Sequence, residues 1–181
     1  FVNDEQRNVV KYEDCLLFIT DRQFTTITDL FPVLEKALRA DLPLIIVSEQ
    51  FDGEPLAALI LNCLKKNMKL AAIKAPRYGE ERRMIMEDLA TITGGTFITR
   101  QSGFNLNDFQ LSHFGQAKIV ESNMFKTTIV SNNQNTNKVT ERIESLKTQI
   151  KESENIDYCK KLQERINRLA SGIAIIKVGG S

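Results

Sequence analysis

The 181-residue chain offers few groups able to do chemistry, and their spacing argues against catalysis. His113 is the only histidine, so any histidine-based nucleophilic device would have to use it. Its neighbours Ser112 and Phe114 supply no context for an activated nucleophile, and a surface or capping role is expected. Cys15, Cys63 and Cys159 are odd in number, far apart and outside any C-x-x-C pairing. They read as three reduced thiols rather than a disulfide or metal framework, and no metal site is expected. Gly94-Gly95-Thr96 lies between a helical pattern and a strand, whereas a phosphate cradle needs strand, loop and then helix N-terminus. These glycines are expected to end a helix. The chain contains no G-x-x-x-x-G-K-[ST] motif, and no pair of carboxylates stands out from solvated helix faces. Lys74, Arg77, Arg82 and Arg83 are interleaved with Glu80, Glu81 and Glu87, too mixed a cluster to follow a phosphate backbone.

Composition agrees. Apolar residues make up 42%, enough for a core, and 24 basic against 23 acidic residues leave a net charge of +1. That balance gives no reason to expect nucleic acid or an anionic membrane as partner. No apolar run approaches the roughly 20 residues that would span a bilayer. Residue 1 is Phe, without a basic or signal-like start, so the chain is expected to be a piece of something longer.

The elements that must position any site alternate. Leu16–Thr20, Leu44–Ser48, Leu70–Ile73 and Thr96–Ile98 read as strands. Ile27–Ala40, Glu54–Asn67 and Glu80–Thr93 read as helices. Continuous apolar runs point to strands covered on both faces, and strand–helix repetition to a mainly parallel α/β sheet flanked by helices. Two short strands are expected around Lys118–Val120 and Thr127–Val130. A helical hairpin follows, Lys138–Glu152 and Asp157–Ala170, with Val139, Ile143, Leu146 and Ile150 on one stripe and Leu162, Ile166 and Leu169 on the other. A last strand is expected over Ile173–Val178.

One feature rises above this background: two helices carry more apolar faces than an outer helix needs. Leu30, Val33 and Ala37 form one stripe, while Phe31, Leu34 and Leu38 form its neighbour. In the next helix, with Pro55 in its first turn, Leu56, Ile60 and Cys63 form a stripe that Leu59 and Leu64 extend, and Leu61 faces elsewhere. Side by side, the two would leave a shallow apolar groove, and exposed apolar area of that kind marks interaction sites. Two other readings stay open. One is a small-molecule enzyme using the strand ends near Thr20-Asp21 or Ser48-Glu49. The other is a structural interaction domain whose groove is permanently filled.

Five ordered motifs, Val33-Leu34-Glu35, Ala71-Ala72-Ile73-Lys74-Ala75-Pro76, Leu89-Ala90-Thr91-Ile92-Thr93-Gly94-Gly95-Thr96, Phe114-Gly115-Gln116-Ala117-Lys118 and Lys161-Leu162-Gln163-Glu164-Arg165, closely resemble the apical domain of a group I (GroEL-type) chaperonin. The resemblance runs through essentially the whole chain. It implies an apical domain over residues 1–172, with 173–181 starting the return strand toward an intermediate domain, and an equatorial ATPase domain absent from this chain. It implies that non-native polypeptides, and the mobile loop of a GroES-type co-chaperonin, bind in the groove. Carried over by position, the groove takes Phe31 and Leu34 from the first helix and Leu56, Ile60 and Leu61 from the second, with Phe1 beneath and Asn62 beside it. Ser171 and Gly172 fall at the hinge. On this resemblance the fragment is no enzyme and needs no cofactor, while the full-length parent uses ATP and Mg in a homo-oligomeric ring. An organelle is favoured over a bacterial cytoplasm.

Departures from the family's pattern are equally specific. Phe31 is bulkier than the usual aliphatic residue, Asp41 replaces the glycine that ends the first helix, Pro55 replaces a small residue, Arg77-Tyr78 replaces Gly-Phe, and Ser171 replaces a hinge glycine.

Overall fold

Strands rich in Leu, Ile and Val assemble into a mixed sheet of seven in a computed structural model that describes residues 10–24, 26–49, 69–75, 79–123, 125–132 and 136–177. In chain order the elements are β1 (Val10–Thr20), a 3-10 turn (Ile27–Leu30), α1 (Phe31–Ala40), β2 (Leu44–Ser48), β3 (Leu70–Lys74), α2 (Gly79–Thr93) and β4 (Phe97–Ile98). Two 3-10 turns then lead into β5 (Gly115–Ser122), β6 (Lys126–Ser131), α3 (Thr136–Glu152), α4 (Ile156–Ser171) and β7 (Ile173–Lys177).

Strand order is β3-β2-β1-β5-β6-β7, with β4 beside the end of β1. The expected parallel half is present: β3, β2, β1 and β4 run together, with Leu16 opposite Leu44 and Ile19 opposite Phe97. The other half, β1-β5-β6-β7, is antiparallel. A short turn joins β5 to β6, whereas the α3–α4 hairpin lies between β6 and β7 in the chain. The helix expected over Glu54–Asn67 lies outside the described residues.

Two cores sit on opposite faces. On one, Leu17, Ile19, Ile45 and Val47 pack with Met86, Leu89 and Ile92 of α2 and with Leu146, Leu162 and Leu169 of the α3–α4 hairpin. On the other, Leu16, Phe18, Leu44 and Ile46 pack with Val33 and Ala37 of α1 and with Phe109 and Phe114. The second cover stops at β1. Beyond it, Ile119 and Val130 are half-buried and Ile173 and Ile175 exposed, with no described element over them.

Three local differences from expectation have physical causes. β1 begins at Val10 rather than Leu16, because its polar first half has one face on the core and one in solvent. The first helix starts as a 3-10 turn, in which Phe31 N–H reaches Thr28 O. Pro32 follows and has no N–H to donate to the carbonyl one α-turn back, so regular α geometry begins only at Phe31. Asp41 closes α1 with φ 56° and ψ 41°, donating to Ala37 O and Leu38 O at 3.1 Å. A side chain in left-handed geometry costs roughly 1 kcal/mol, and a carboxylate there also meets the negative end of the helix dipole.

Replacing Asp41 with Gly is therefore expected to stabilise the domain by about 1 kcal/mol, read as a higher denaturant midpoint at unchanged m-value. A second expectation concerns alkaline pH. Cys15 is 1% exposed, and burial, then the charges of Asp14 and Glu13, push its thiol from 9.0 up to about 12. The unfolded chain gives up that proton first, so stability should fall as pH climbs from 9 toward 12, by at most about 1.4 kcal/mol per pH unit. Burial moves the Tyr12 phenol in the same direction. Denaturant curves of the wild type and Cys15→Ala between pH 8 and 10 check this: the decline should be shallower in the variant.

Candidate functional site

A helix of ten residues can turn only one stripe toward the sheet it packs on. In α1 that stripe is Val33 and Ala37, both fully buried, with Leu30 just ahead of the helix 6% exposed. The remaining apolar residues are left outside. Phe31 is 41% and Leu38 39% exposed, Leu34 is half-buried at the margin of the core, and Leu42 is exposed just past the helix end. Phe31, Leu34 and Leu38 sit three and four residues apart, which places them on one side of the helix. Glu35 and Arg39 are exposed beside them.

Among the seven residues carried onto the groove, Phe31 and Leu34 are thus described, one prominently exposed and one partly so. Phe1, Leu56, Ile60, Leu61 and Asn62 lie outside the described residues. At the expected hinge, Gly172 is the C-cap of α4 with φ 67°, and its N–H donates to Arg168 O at 3.1 Å. Its carbonyl accepts from Ser131 N–H at 2.9 Å. Ser171 Oγ donates to Arg168 O at 3.0 Å and accepts from Ile173 N–H at 3.2 Å. The strand after it, β7, pairs with β6 from Ile173 to Lys177.

The strand ends named as a rival site are occupied by internal bonds. Thr20 is fully buried, and its hydroxyl donates to Ile98 O at 2.8 Å. Asp21 accepts from Arg100 N–H at 2.7 Å, and Glu49 faces Arg100 at 3.5 Å. Arg22 Nε donates to Thr99 O at 3.1 Å. Among the described residues, these bonds engage the polar groups at the place where β1, β2 and β4 end together. His113 is likewise structural: its Nδ1 accepts from Gln110 N–H at 2.8 Å, and its ring lies 5.0 Å from Phe104 and 5.3 Å from Phe109. Gly94, with φ 73°, follows the last residue of α2, as expected of a helix terminator. Gly95 lets the next backbone in, since a Cβ there would meet Gly115 N at 2.5 Å. Among the described residues, no group of three or more His, Cys, Asp or Glu is placed to hold a metal, and no helix is long and apolar enough to cross a membrane.

One arrangement escaped the sequence. Asp88 of α2 is fully buried and takes a two-pronged bond from Arg165 of α4, with Nε at 2.8 Å and Nη2 at 2.9 Å. Arg168 Nη2 adds a third donor at 2.9 Å. Hydrogen bonding to Asp88 holds the Arg165 proton more tightly, against the opposing effect of burial. The signal was available: Asp88 stands three residues after Ile85 and four before Ile92, on the apolar side of its helix. The triad fastens the helical hairpin to α2. Arg165 and Arg168 line a cleft of about 430 Å³ together with Met84, Ile85 and Leu162. Four glutamates and four basic side chains surround that cleft, and two of the cations, Arg165 and Arg168, are already paired with Asp88.

Sequence and structure comparisons place the chain among known proteins. Over 179 residues it is 40% identical to Chaperonin GroEL 1 of Synechococcus sp. (strain CC9605), a match taking in 99% of this chain and 32% of that protein. The chain therefore spans about a third of the length of the curated relative it matches. Its fold is similar to chaperonin gp146 of the bacteriophage EL 2 (Pseudomonas aeruginosa), crystallised in the presence of ATP-BeFx. In one crystal form the TM-score is 0.67 at 12% identity, covering 97% of this chain and 35% of gp146. In a second form it is 0.65 at 11% identity, covering 100% and 36%. At such identity the likeness speaks for the fold alone. No protein-family model matches the chain. A cyanobacterial relative does not favour an organelle over a bacterial cytoplasm.

Replacing Asp88 with Asn leaves two guanidinium groups without their buried counter-charge. The expected loss is about 3–5 kcal/mol in equilibrium denaturation. A change below about 1 kcal/mol would show the triad to be incidental to the docking of the hairpin.

Proposed function

We infer that this chain, a segment consistent in sequence and fold with a group I chaperonin, captures non-native polypeptide on the outer apolar stripe of α1 and the helix expected after β2. The observation that carries the reading is the surplus on α1: Val33 and Ala37 alone are fully buried in the helix, yet Phe31 and Leu38 are kept about two-fifths exposed. An aromatic and a leucine left partly solvated on one helix face cost solubility and are not part of the domain's core cluster. A binding role accounts for them. The places of Leu56, Ile60, Leu61, Asn62 and Phe1 in the groove rest on the resemblance, as does its use by a GroES-type co-chaperonin. So do the apical boundary near residue 172 and the hinge at Ser171 and Gly172.

Capture proceeds by burial. A client segment that removes a few hundred Å² of apolar area gains several kcal/mol at about 25 cal/mol per Å². Immobilising a flexible client and two partners offsets much of that, leaving affinity near micromolar for one domain. A ring of such domains would raise it by avidity, and a homo-oligomeric ring is part of the proposal. So are ATP and Mg: nucleotide hydrolysis belongs to the parent's remaining length, beyond the third of the relative that this chain matches. Here the chain's own residues bind and release; no bond is made or broken by them.

The test uses the 181-residue chain and a fluorescent client diluted from denaturant. Phe31→Ser, Leu56→Ser and Ile60→Ser are each expected to weaken capture at least tenfold while leaving the thermal midpoint within a few degrees. Capture should persist in 0.5 M salt, because the attraction is apolar rather than ionic. Wild-type capture by all three variants would refute the assignment.

A further inference from the structure

Behind the sheet and apart from α1, we propose that the cleft between α2 and the α3–α4 hairpin binds a small cationic amphiphile, an ammonium carried on an alkyl or aryl body.

The cleft holds about 430 Å³, within the range of small-molecule sites. Leu146 and Leu162 are buried in it, while Met84 and Ile85 stay half-buried at the junction of three helices. Methionine is unbranched and polarizable, so it adapts to the shape of a guest. A single ring or short alkyl chain meets apolar side chains there from α2, α3 and α4 together.

Charge then sets the head group and its orientation. The half-buried lining residues Arg142, Arg165 and Arg168 face Glu87 and the buried Asp88, which leaves one positive charge in excess inside the cleft. Those cations are already engaged: Arg165 and Arg168 by Asp88, and Arg142 by Glu87 at 4.0 Å. Arg168 Nε has no partner, but it is buried beyond the reach of a ligand. The exposed rim has the opposite balance, with Glu80, Glu81 and Glu164 set against Lys161. An ammonium is therefore repelled from the depth of the cleft and favoured at its rim. Tyr158 stands at the same rim, 44% exposed, with its hydroxyl donating to Gln149 Oε1 at 3.2 Å. A ring so steadied offers its π face to a cation. The ligand enters apolar end first, and its ammonium stays beside the carboxylates and Tyr158.

The experiment titrates the isotope-labelled 181-residue chain with phenethylammonium, phenethyl alcohol and phenylacetate, and follows amide shifts by nuclear magnetic resonance. The ammonium is expected to shift the amides of Met84, Leu146 and Leu162, with an affinity of about 1 mM for so small a probe. The alcohol should bind about threefold and the carboxylate about tenfold more weakly. In Glu80→Gln/Glu164→Gln, where both sites are exposed, the advantage of the ammonium over the alcohol should vanish. Met84→Trp fills the cleft and should lose all three probes. Unchanged amide shifts in the sheet verify the fold of each variant, and if Met84→Trp does not fold, the glutamine variant decides. Equal binding of the three probes by wild type overturns the site, as does an ammonium preference kept in the glutamine variant. Shifts confined to α1 put the probes on the capture surface and overturn the cleft as their site.

Discussion

An amphipathic helix laid on a sheet has one side to bury, and everything else about this surface follows from how α1 spends it. Val33 and Ala37 fill the contact with the Phe18–Ile46 side of the sheet. Small Ala37 brings the helix close, so larger neighbours cannot rotate inward without lifting it off. Phe31 and Leu38 are held outside by that geometry, and Leu34 is caught at the boundary. The exposed stripe is thus a consequence of tight packing on the opposite side of the same helix, which lets the domain present apolar surface without loosening its core.

The rest of the fold makes that helix a rigid platform. The β1–β2 pairing, in register from Leu16–Leu44 to Thr20–Ser48, fixes both ends of the connection that carries α1. Behind the sheet, α2 and the α3–α4 hairpin are locked by Asp88 between two arginines. Buried charge of this kind contributes little net stability over an apolar substitute, but it admits one docking arrangement, because any other strands a charge. Among the described residues, Asp21 and Glu49 at the carboxyl ends of β1 and β2 bond to Arg100, while Thr20 and Arg22 donate to the carbonyls of Ile98 and Thr99. The described crevice thus holds its polar groups in internal bonds, while α1 keeps leucine and phenylalanine exposed.

Where local pattern and observed structure part, competition between forces explains it. Leu44–Ser48 was legible because a parallel strand covered on both faces must be apolar throughout. The first half of β1 was not, since Lys11, Glu13 and Asp14 face solvent and only the pairing with β5 makes that stretch a strand. Helix starts shifted by one or two residues, as in α2 at Gly79 and α3 at Thr136. The bare face of β5-β6-β7 was equally hidden: alternation in Ile173–Lys177 says that one side is solvated, but not that no helix lies over it.

The amino-acid sequence by itself determined the alternating elements and the surplus apolar stripe of α1, because each is a property of spacing within one segment. Periodicity also named Phe31, Leu34 and Leu38 as one stripe. Only the tertiary structure decided which stripe of α1 is buried, since the two are nearly equal in apolar content and the choice depends on which fits against Phe18 and Ile46. Tertiary contact alone also brought Asp88 to Arg165 and Arg168, partners 77 and 80 residues away whose attraction exists only once α2 and α4 share an interface.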